Sequence, residues 1–337
     1  MRTAVFAYSH QGCRTARTAK ECLREAELFC AQRLDEPDFC GIPKPSEAFY
    51  GEQFEKQDAL IFVGACGIAV RQIAPSVKSK TADPAVVVID ELGKFVIPLL
   101  SGHIGGANAL AGMLAEHLGA VPVITTATDI NGRFSVDAWA ARNGFRLSSM
   151  SDAKAVSAAI LEQDIPVDCD FPVKGAYAAG TYPGTEGSVG ICISFRKKQP
   201  FGRTLNLIPP VLHLGIGCRK DTPAEAIRQA VTEVLEENHM DGRAVKCAAS
   251  IELKKEEAGL LQVCRENHWP ITFYSAEALS ALSGQFTPSE FVERVTGVSN
   301  VCERSACMGG NYLIVRKTAR NGVTVAVAAE NLEVQFG

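Results

Sequence analysis

Apolar residues in the first third of the chain form short continuous runs, separated by segments with the spacing of amphipathic helices. Such runs are typical of strands buried on both faces, as in the parallel sheets of α/β proteins. We predict strands at "RTAVFAYS", "DALIFVG", "AVVVID", "KFVIPLL" and "VPVITT", with a hairpin at the "ELG" between the third and fourth. Helices are predicted at "TARTAKECLREA", at "GIAVRQIA" and at residues 106–118, before Gly119.

The pattern changes twice further along the chain. Residues 131–204 combine two amphipathic segments, "FSVDAWAARNGF" and "SDAKAVSAAILEQ", with a stretch rich in Gly, Pro and Thr. From residue 205 the alternation of strand and helix patterns resumes, and it closes with a hairpin at Asn321 and Gly322, a dipeptide that favours a type I′ turn.

We therefore predict an N-terminal α/β domain (1–130), a middle segment (131–204) and a C-terminal α/β domain (205–337). The fold class is α/β, with two α/β domains. The first carries the small middle insertion and the second has three layers, and the sheets are expected to be largely parallel or mixed.

Basic and acidic side chains are nearly balanced, 34 against 38, for a net charge of -4. No basic run is longer than "RKK" at residues 196–198, and neither a signal-peptide pattern nor an apolar stretch of about 18 residues occurs. We therefore expect neither nucleic acid nor a membrane as a partner, and a cytoplasmic location. The twelve cysteines contain no C-x-x-C pair, which favours free thiols over a metal site.

The stretch "SGHIGGAN" lies between a predicted strand and a predicted helix. It matches neither G-x-G-x-x-G nor a P-loop, but its glycines would let backbone N–H groups approach a carboxylate or another oxyanion at the helix N-terminus. His103 could act there as an acid or a base. The alternative is a tight turn in which the glycines serve packing and the histidine caps or packs. The candidate residues are Ser101, Gly102, His103, Gly105, Gly106 and Asn108.

Three further groups follow predicted strands, at the end of the strand where open α/β sheets bind ligands. They are Gly64, Gly67 and Arg71; Thr125, Thr126 and Asp129; and Gly215, Gly217 and Arg219. The arginines could bind carboxylates or pair with surface acids, and the threonines and the aspartate could contact a polar ligand or cap a helix. Asp90 and Glu91 are interpreted as solvated residues of the hairpin.

Several segments together resemble one family, in the family's order from about residue 58 to the C-terminus. They are "GACGIAVRQIAP", "VVVIDELGKFVIPLLSGHIGGAN", "TTATD", "LGIGCRKDTP", "AASIELKKEE" and "VCERSA". They resemble the CbiG family of cobalt-precorrin-5A hydrolases, from the anaerobic, early-cobalt-insertion route to cobalamin, and "LSGHIGGAN" is the most specific element. Residues 1–57 and the middle segment carry little of this resemblance.

The resemblance implies opening of the δ-lactone of cobalt-precorrin-5A and release of acetaldehyde, which gives cobalt-precorrin-5B. It implies a substrate fringed with carboxylates, hand-over to neighbouring pathway enzymes, and neither a cofactor nor a metal of the protein's own, because the substrate carries the cobalt. Whether the protein forms a homodimer is left open. On chemical grounds, His103 would activate water and the N–H groups of Gly105 and Gly106 would stabilise the oxyanion. Carboxylate anchoring is assigned to Arg71, Arg219, Thr125 and Thr126.

Two other functional classes stay open. One is a non-catalytic protein that binds or carries corrinoid intermediates, because the last third of the chain also resembles a stand-alone protein of the aerobic pathway. The other is a nucleotide-dependent α/β enzyme, against which the missing G-x-G-x-x-G and P-loop motifs count. Release of acetaldehyde separates the hydrolase from a carrier.

Overall fold

A computed structural model describes residues 1–79, 82–103 and 105–336 of the chain. The chain divides into two compact units, Met1–Ala138 and a second unit that begins at Trp139. The first unit contains one sheet and the second contains two, and parallel and antiparallel strand pairs occur in all three. The predicted α/β class with mixed sheets is confirmed.

Seven strands form the sheet of the first unit, in the order β3-β2-β1-β4-β5-β6-β7. They are β1 (Arg2–Ala7), β2 (Glu25–Ala31), β3 (Cys40–Ile42), β4 (Ala59–Val63), β5 (Ala85–Ile89), β6 (Phe95–Leu100) and β7 (Val121–Pro122). The first five are parallel, whereas β6 runs antiparallel to β5 in the predicted hairpin, and β7 runs parallel to β6. The carboxyl end of β6 therefore lies beside the amino ends of β4 and β5, at the opposite end of the strands from their carboxyl ends.

Helices cover the sheet of the first unit because its strands are apolar on both faces. All five residues of β4 and all five of β5 are buried, as expected for continuous apolar runs. One face packs aromatic rings, with Phe6 between Phe29 and Phe62, and the other packs aliphatic side chains such as Ile61 and Leu114. The helices of this part of the chain are α1 (His10–Glu21), α2 (Glu47–Lys56), α3 (Cys66–Ile73), α4 (Ala107–Leu118), α5 (Ala127–Ile130) and α6 (Val136–Arg142).

The first 60 residues differ most from the sequence predictions. Helix α1 begins five residues before the predicted helix, because the Ser9 hydroxyl caps it by accepting a hydrogen bond from the Gly12 N–H at 3.0 Å. The predicted helix also overlapped β2, whose first half is partly exposed and lacks an apolar run. Neither β2, β3 nor α2 was predicted, and "VPVITT" contributes only the two residues of β7.

The middle segment forms a five-stranded sheet in the order β10-β9-β11-β12-β8. Its strands are β8 (Arg146–Leu147), β9 (Ile165–Cys169), β10 (Thr181–Pro183), β11 (Val189–Ile193) and β12 (Arg203–Ile208), and α7 (Met150–Glu162) packs against them. The predicted boundary between residues 204 and 205 falls inside β12, so the change from this sheet to the next comes after Ile208, at Pro209 and Pro210. The division into separately folding domains stays a prediction.

The C-terminal sheet has the order β15-β14-β13-β17-β16. Its strands are β13 (Leu212–Cys218), β14 (Val245–Ile251), β15 (Ile271–Tyr274), β16 (Tyr312–Arg320) and β17 (Val323–Ala329). The helices are α8 (Ala224–Glu237), α9 (Ala258–Glu266), α10 (Ala276–Ala281), α11 (Glu290–Thr296) and α12 (Cys302–Gly309). Asn321 and Gly322 join β16 to β17 with φ angles of 49° and 81°, as a type I′ turn requires.

None of the twelve cysteines forms a disulfide, so the prediction of free thiols is confirmed. Five of them are buried, six are half-buried and one is exposed. Within residues 1–79, 82–103 and 105–336, no helix is long and apolar enough to cross a membrane.

Candidate functional site

The turn between β6 and α4 folds tightly on itself. The N–H groups of Gly106, Ala107 and Asn108 donate to the carbonyl oxygens of His103, Ser101 and Gly102, at 3.0 to 3.1 Å. Three of the N–H groups expected to cradle an anion are therefore already used inside the turn, and the Gly106 N–H is not free for an oxyanion. The proposed role of Gly105 stays a prediction.

Two glycines of this turn are explained by its backbone. Gly106 adopts a φ of 81° as the residue that precedes α4, a conformation that side chains other than glycine rarely adopt. A Cβ atom on Gly105 would lie 2.4 Å from the Cβ atom of Ser101, which is closer than two carbon atoms that are not bonded to each other can approach. The packing explanation therefore accounts for the presence of these two glycines without a contact to a ligand.

His103 is held between two carboxylates. Its Nε2 lies 2.9 Å from Oδ2 of Asp129, and its Nδ1 lies 3.3 Å from Oδ1 of Asp137. The hydroxyl of Thr128 is also 3.3 Å from Nε2. Only 17% of the imidazole is exposed. Two carboxylates on opposite ring nitrogens are best satisfied by a protonated ring, which donates one N–H to each.

The electrostatics of His103 agree with this geometry. The hydrogen bond to Asp137 is the main reason why the pKa of His103 lies above 6.5; burial opposes the rise and Asp129 adds to it. Burial would raise the pKa of Asp137, but the hydrogen bond and charge of His103 outweigh burial, and this pKa falls to about 2. The geometry and the direction of both pKa shifts therefore favour an imidazolium between the two carboxylates.

Asp137 is the functional candidate that the sequence analysis missed. It lies in the first turn of α6, is 7% exposed, and accepts hydrogen bonds from the Ser135 hydroxyl at 3.0 Å and the Ala138 N–H at 2.9 Å. We had interpreted "FSVDAWAARNGF" only as an amphipathic helix. The available signal was a carboxylate on the buried side of that helix, next to Val136 and Ala140, which are fully buried.

Asn108 and Thr126 connect the turn to the segment after β7. The Asn108 side-chain amide donates to Thr126 Oγ1 and to Asp129 Oδ2, each at 2.8 Å, and Asn108 is only 9% exposed. Thr125 is exposed beside this network. We call His103, Asn108, Thr126, Asp129 and Asp137 the His103 cluster. The Asp129 side chain is its exposed member, at 37%, so solvent and ligands reach the cluster there.

The group after β4 lies at the opposite end of the strands of this sheet, by the carboxyl ends of β4 and β5. It contains Gly64, Gly67 and Arg71. The Gly64 N–H donates to Ile89 at the carboxyl end of β5, whereas the Ser101 hydroxyl donates to the Asp83 carbonyl before the amino end of β5. Arg71 is exposed, and its guanidinium donates to the Gly67 carbonyl of its own helix. The structure therefore does not bring this group together with the His103 cluster.

Asp90 and Glu91 follow the carboxyl end of β5, and their carboxylates accept hydrogen bonds from neighbouring residues. The Asp90 carboxylate accepts hydrogen bonds from the N–H groups of Leu92, Lys94 and Phe95, so it closes the hairpin between β5 and β6. The Ser9 hydroxyl donates to the Glu91 carboxylate. The interpretation of Asp90 and Glu91 as turn residues fits these contacts.

In the second unit, Gly215 and Gly217 contact neighbouring elements. A Cβ atom on Gly215 would lie 1.7 Å from the carbonyl oxygen of Cys302, so this glycine lets α12 pack directly on β13. A Cβ atom on Gly217 would lie 2.6 Å from the Thr324 hydroxyl on β17. Arg219 is exposed beyond the end of β13. Their proposed contacts with substrate stay predictions.

No three His, Cys, Asp or Glu side chains in the described part of the chain are placed to hold a metal ion. The His103 cluster itself has the composition of an acid–base site.

Comparison with known proteins gives the family. Residues 48–129 match the family model described as "Cobalamin synthesis G N-terminal", and residues 212–328 match the one described as "Cobalamin synthesis G C-terminus". The cobalt-precorrin-5A hydrolase of Salmonella typhimurium is 37% identical over 314 residues, which cover 89% of this chain and 90% of that protein. The chain belongs to the CbiG family. The resemblance inferred from the sequence motifs is confirmed.

Two further relatives are similar to this CbiG chain. The cobalt-precorrin-5A hydrolase of Priestia megaterium is 31% identical over an alignment of 355 positions, gaps included. The alignment covers 96% of this chain and 94% of that protein. The protein CobE of a Sinorhizobium species is 31% identical over 121 residues, which cover 35% of this chain and 79% of CobE. The N-terminal CbiG family match contains His103, Asn108 and Asp129, whereas Asp137 lies outside both matches.

Proposed function

We infer that this chain hydrolyses cobalt-precorrin-5A, opening its δ-lactone and releasing acetaldehyde to give cobalt-precorrin-5B. The observation that carries this conclusion is 37% identity over 89% of the chain to a protein of that activity. Carrier function is not favoured, because the similarity to the two hydrolases extends over most of the chain, whereas the match to CobE covers 35% of it.

The His103 cluster supports a revised assignment of the acid and the base. We had expected His103 to activate water, but a ring that donates to two carboxylates has no free nitrogen to accept a proton. Asp129 is the exposed carboxylate, and His103 and Asn108 both engage its Oδ2. Its Oδ1 is therefore the oxygen we assign to take a proton from the attacking water.

In this mechanism His103 supplies the proton. Water attacks the lactone carbonyl, the ring C–O bond breaks, and the Nε2–H of His103, on the exposed Asp129 side, moves its proton from the Asp129 contact to the leaving oxygen. The neutral Nε2 then takes the proton back from the new hydroxyl, the C–C bond breaks to release acetaldehyde, and the electron pair stays on the conjugated macrocycle. Asp137 holds the Nδ1 side of the ring throughout and so keeps Nε2 directed at Asp129.

Several expectations accompany this function as proposals. Acid–base chemistry of this kind needs no cofactor of the protein's own, because the cobalt belongs to the substrate. We propose a cytoplasmic enzyme that passes its product to neighbouring pathway enzymes and uses neither nucleic acid nor a membrane; a homodimer stays open. Contacts of Arg71, Arg219 and Thr125 with substrate carboxylates also remain proposals.

The test is to incubate the protein with cobalt-precorrin-5A and to measure acetaldehyde together with the mass of the corrinoid product. We expect one acetaldehyde per substrate consumed and a product mass that fits addition of water and loss of that unit. Binding of the corrinoid without acetaldehyde would instead support a carrier. A thermal shift with ATP or NAD but not with corrinoid would support a nucleotide-dependent enzyme.

A further inference from the structure

A cavity of about 480 Å³ lies in the second unit, where the middle segment meets α8 and α9. Residues of the two parts pair at its rim: the Lys197 N–H donates to the His239 carbonyl at 2.7 Å, and the Asp241 N–H donates to the Phe195 carbonyl at 2.9 Å. Its volume falls in the range of roughly 300 to 1,000 Å³ that is typical of sites for small molecules, which often form where two substructures join.

The inner wall of this cavity is apolar. Val231, Leu235, Met240, Val263 and Trp269 line it, and each is at most 9% exposed. These side chains come from α8, from α9 and from the loops that follow them. Side chains this buried form the packed base of the cavity and expose little apolar surface to it; Trp269, at 9%, is the most exposed of them.

The rim of the cavity is mainly basic. Arg146, Lys197, Arg228 and Arg243 line it, against the carboxylates of Glu236 and Asp241. Two of the four cations already have acidic partners: Arg243 binds Asp241 at 2.7 Å, and Arg228 binds Glu266 at 2.6 Å.

The other two rim cations differ from these. Arg146 and Lys197 are exposed, and neither forms an ion pair with any residue that the structure describes. They stand on different segments, Arg146 on β8 and Lys197 after β11. Together they present two exposed positive charges that form no salt bridge in the described part of the chain, although Lys197 lies near enough to Asp241 for their charges to interact.

We propose that this basic pocket binds the carboxylate-bearing edge of a corrin macrocycle, with Arg146 and Lys197 holding acetate or propionate groups of that edge. The inference rests on the proposed function, and it assigns the substrate carboxylates to residues that the sequence analysis did not select. A fully amidated corrin lacks the charges that the two cations recognise and binds more weakly here.

The experiment measures affinity by absorbance titration with two probes, a cobalt corrin whose side chains are free carboxylates and the corresponding corrin amide. We expect Arg146→Ala and Lys197→Ala each to weaken carboxylate binding about two- to fivefold, as for exposed ion pairs, and the double variant by the product of the two factors. Raising the salt concentration should weaken binding by the parent protein and have less effect on the double variant.

A third variant tests the cavity without removing charge. Thr232 is exposed on α8 and lines the pocket, so Thr232→Trp fills the entrance without disturbing the core. It should lower the affinity for the carboxylate corrin while the unfolding temperature stays unchanged. Arg142→Ala and Lys154→Ala are the matched controls, because both residues are exposed in the second unit and do not line the pocket. They should bind like the parent.

The outcomes separate this inference from the proposed function. Parent-like affinities for Arg146→Ala, Lys197→Ala and Thr232→Trp would overturn the inference even if acetaldehyde is released normally. Carboxylate-dependent binding that these variants weaken would support it, and would do so even if the parent protein released no acetaldehyde, which would overturn the hydrolase function. Equal affinity of the parent for the amide and the carboxylate corrin would also overturn the inference.

Discussion

Two glycine-containing turns of the first unit connect a strand to a helix, and they differ in what surrounds them. After β6, His103 and Asn108 point into a network with Asp129 and the buried Asp137. After β4, the nearby Arg71 is exposed, and its guanidinium donates a hydrogen bond to the Gly67 carbonyl of its own helix. The glycines in the two turns are similar, but the polar side chains converge only after β6.

The difference shows that glycines at a strand end do not by themselves identify a site. Gly105 is required because Ser101 is too close for a side chain, and Gly106 because of its positive φ. A functional assignment instead depends on buried polar groups that meet, since each must be satisfied by a partner of the right chemistry. By that criterion the β6 turn is the stronger candidate within this unit.

The largest effect is expected for His103→Ala. Removing the proposed acid should lower the rate of acetaldehyde release about 10²- to 10⁴-fold, the usual contribution of a positioned acid or base. Binding of the corrinoid should persist, and release of acetaldehyde and thermal unfolding should be measured on the same samples. His117→Ala is the control, because His117 lies on α4, is partly exposed and binds the Thr18 carbonyl outside the cluster. Normal turnover of folded His103→Ala would remove His103 from the mechanism.

A smaller effect is expected for Asp137→Asn, on the order of 10² in rate, the cost of misplacing a catalytic group by about 1 Å. The amide keeps the shape but loses the charge that holds the His103 proton, so the pKa of His103 should fall. The measurement is the pH dependence of kcat, whose alkaline limb should move to lower pH, with KM little changed. Asp137→Glu should restore part of the rate. Asp38→Asn is the control, since Asp38 pairs with Arg17 on the surface. An unmoved pH limb would leave Asp137 a purely structural role.

The pH dependence of the parent protein tests the state of His103. If the imidazolium is the acid, turnover should fall as the pH rises through the raised pKa of His103. A histidine base would give a rate that rises with pH near 6.5 instead. The free energy of unfolding should also change with pH as His103 and Asp137 titrate. The His103 contribution is present below pH 6.5 and lost as the pH rises through its raised pKa, whereas that of Asp137 is present above pH 3.8 and lost as the pH falls toward about 2.

The smallest effect is expected for Arg71→Ala. An exposed guanidinium whose observed bond is to its own helix should change KM by no more than about fivefold, the upper range for exposed ion pairs. Steady-state kinetics on cobalt-precorrin-5A measure this directly, and kcat should be unchanged. A tenfold or larger rise in KM would show that the turn after β4 also binds substrate, in addition to the His103 cluster.

In the first unit, the sequence predicted β1, β4, β5 and β6 from their continuous apolar runs and missed β2 and β3, which lack such runs. The predicted strand at "DALIFVG" is the fully buried β4, and the predicted helix at 106–118 is α4 with Gly119 as its C-cap. β2 was missed because its first residues are partly exposed and polar.

The sequence by itself determined the fold class and the family and selected "SGHIGGAN" as a candidate site, because apolar runs and short motifs are local properties of the chain. Tertiary structure decided which candidates meet. The "ELG" hairpin predicted the reversal of β6 relative to β5. The folded sheet shows its consequence, because β4 and β6 flank β5 in opposite directions and so separate Arg71 from His103. Asp137 reaches His103 across 34 residues of chain, and the two carboxylates that enclose the ring determine its charge. A proton's position depends on all the groups that surround it in space, so the proposal that His103 is an acid and not a base rests on contacts that exist only in the folded protein.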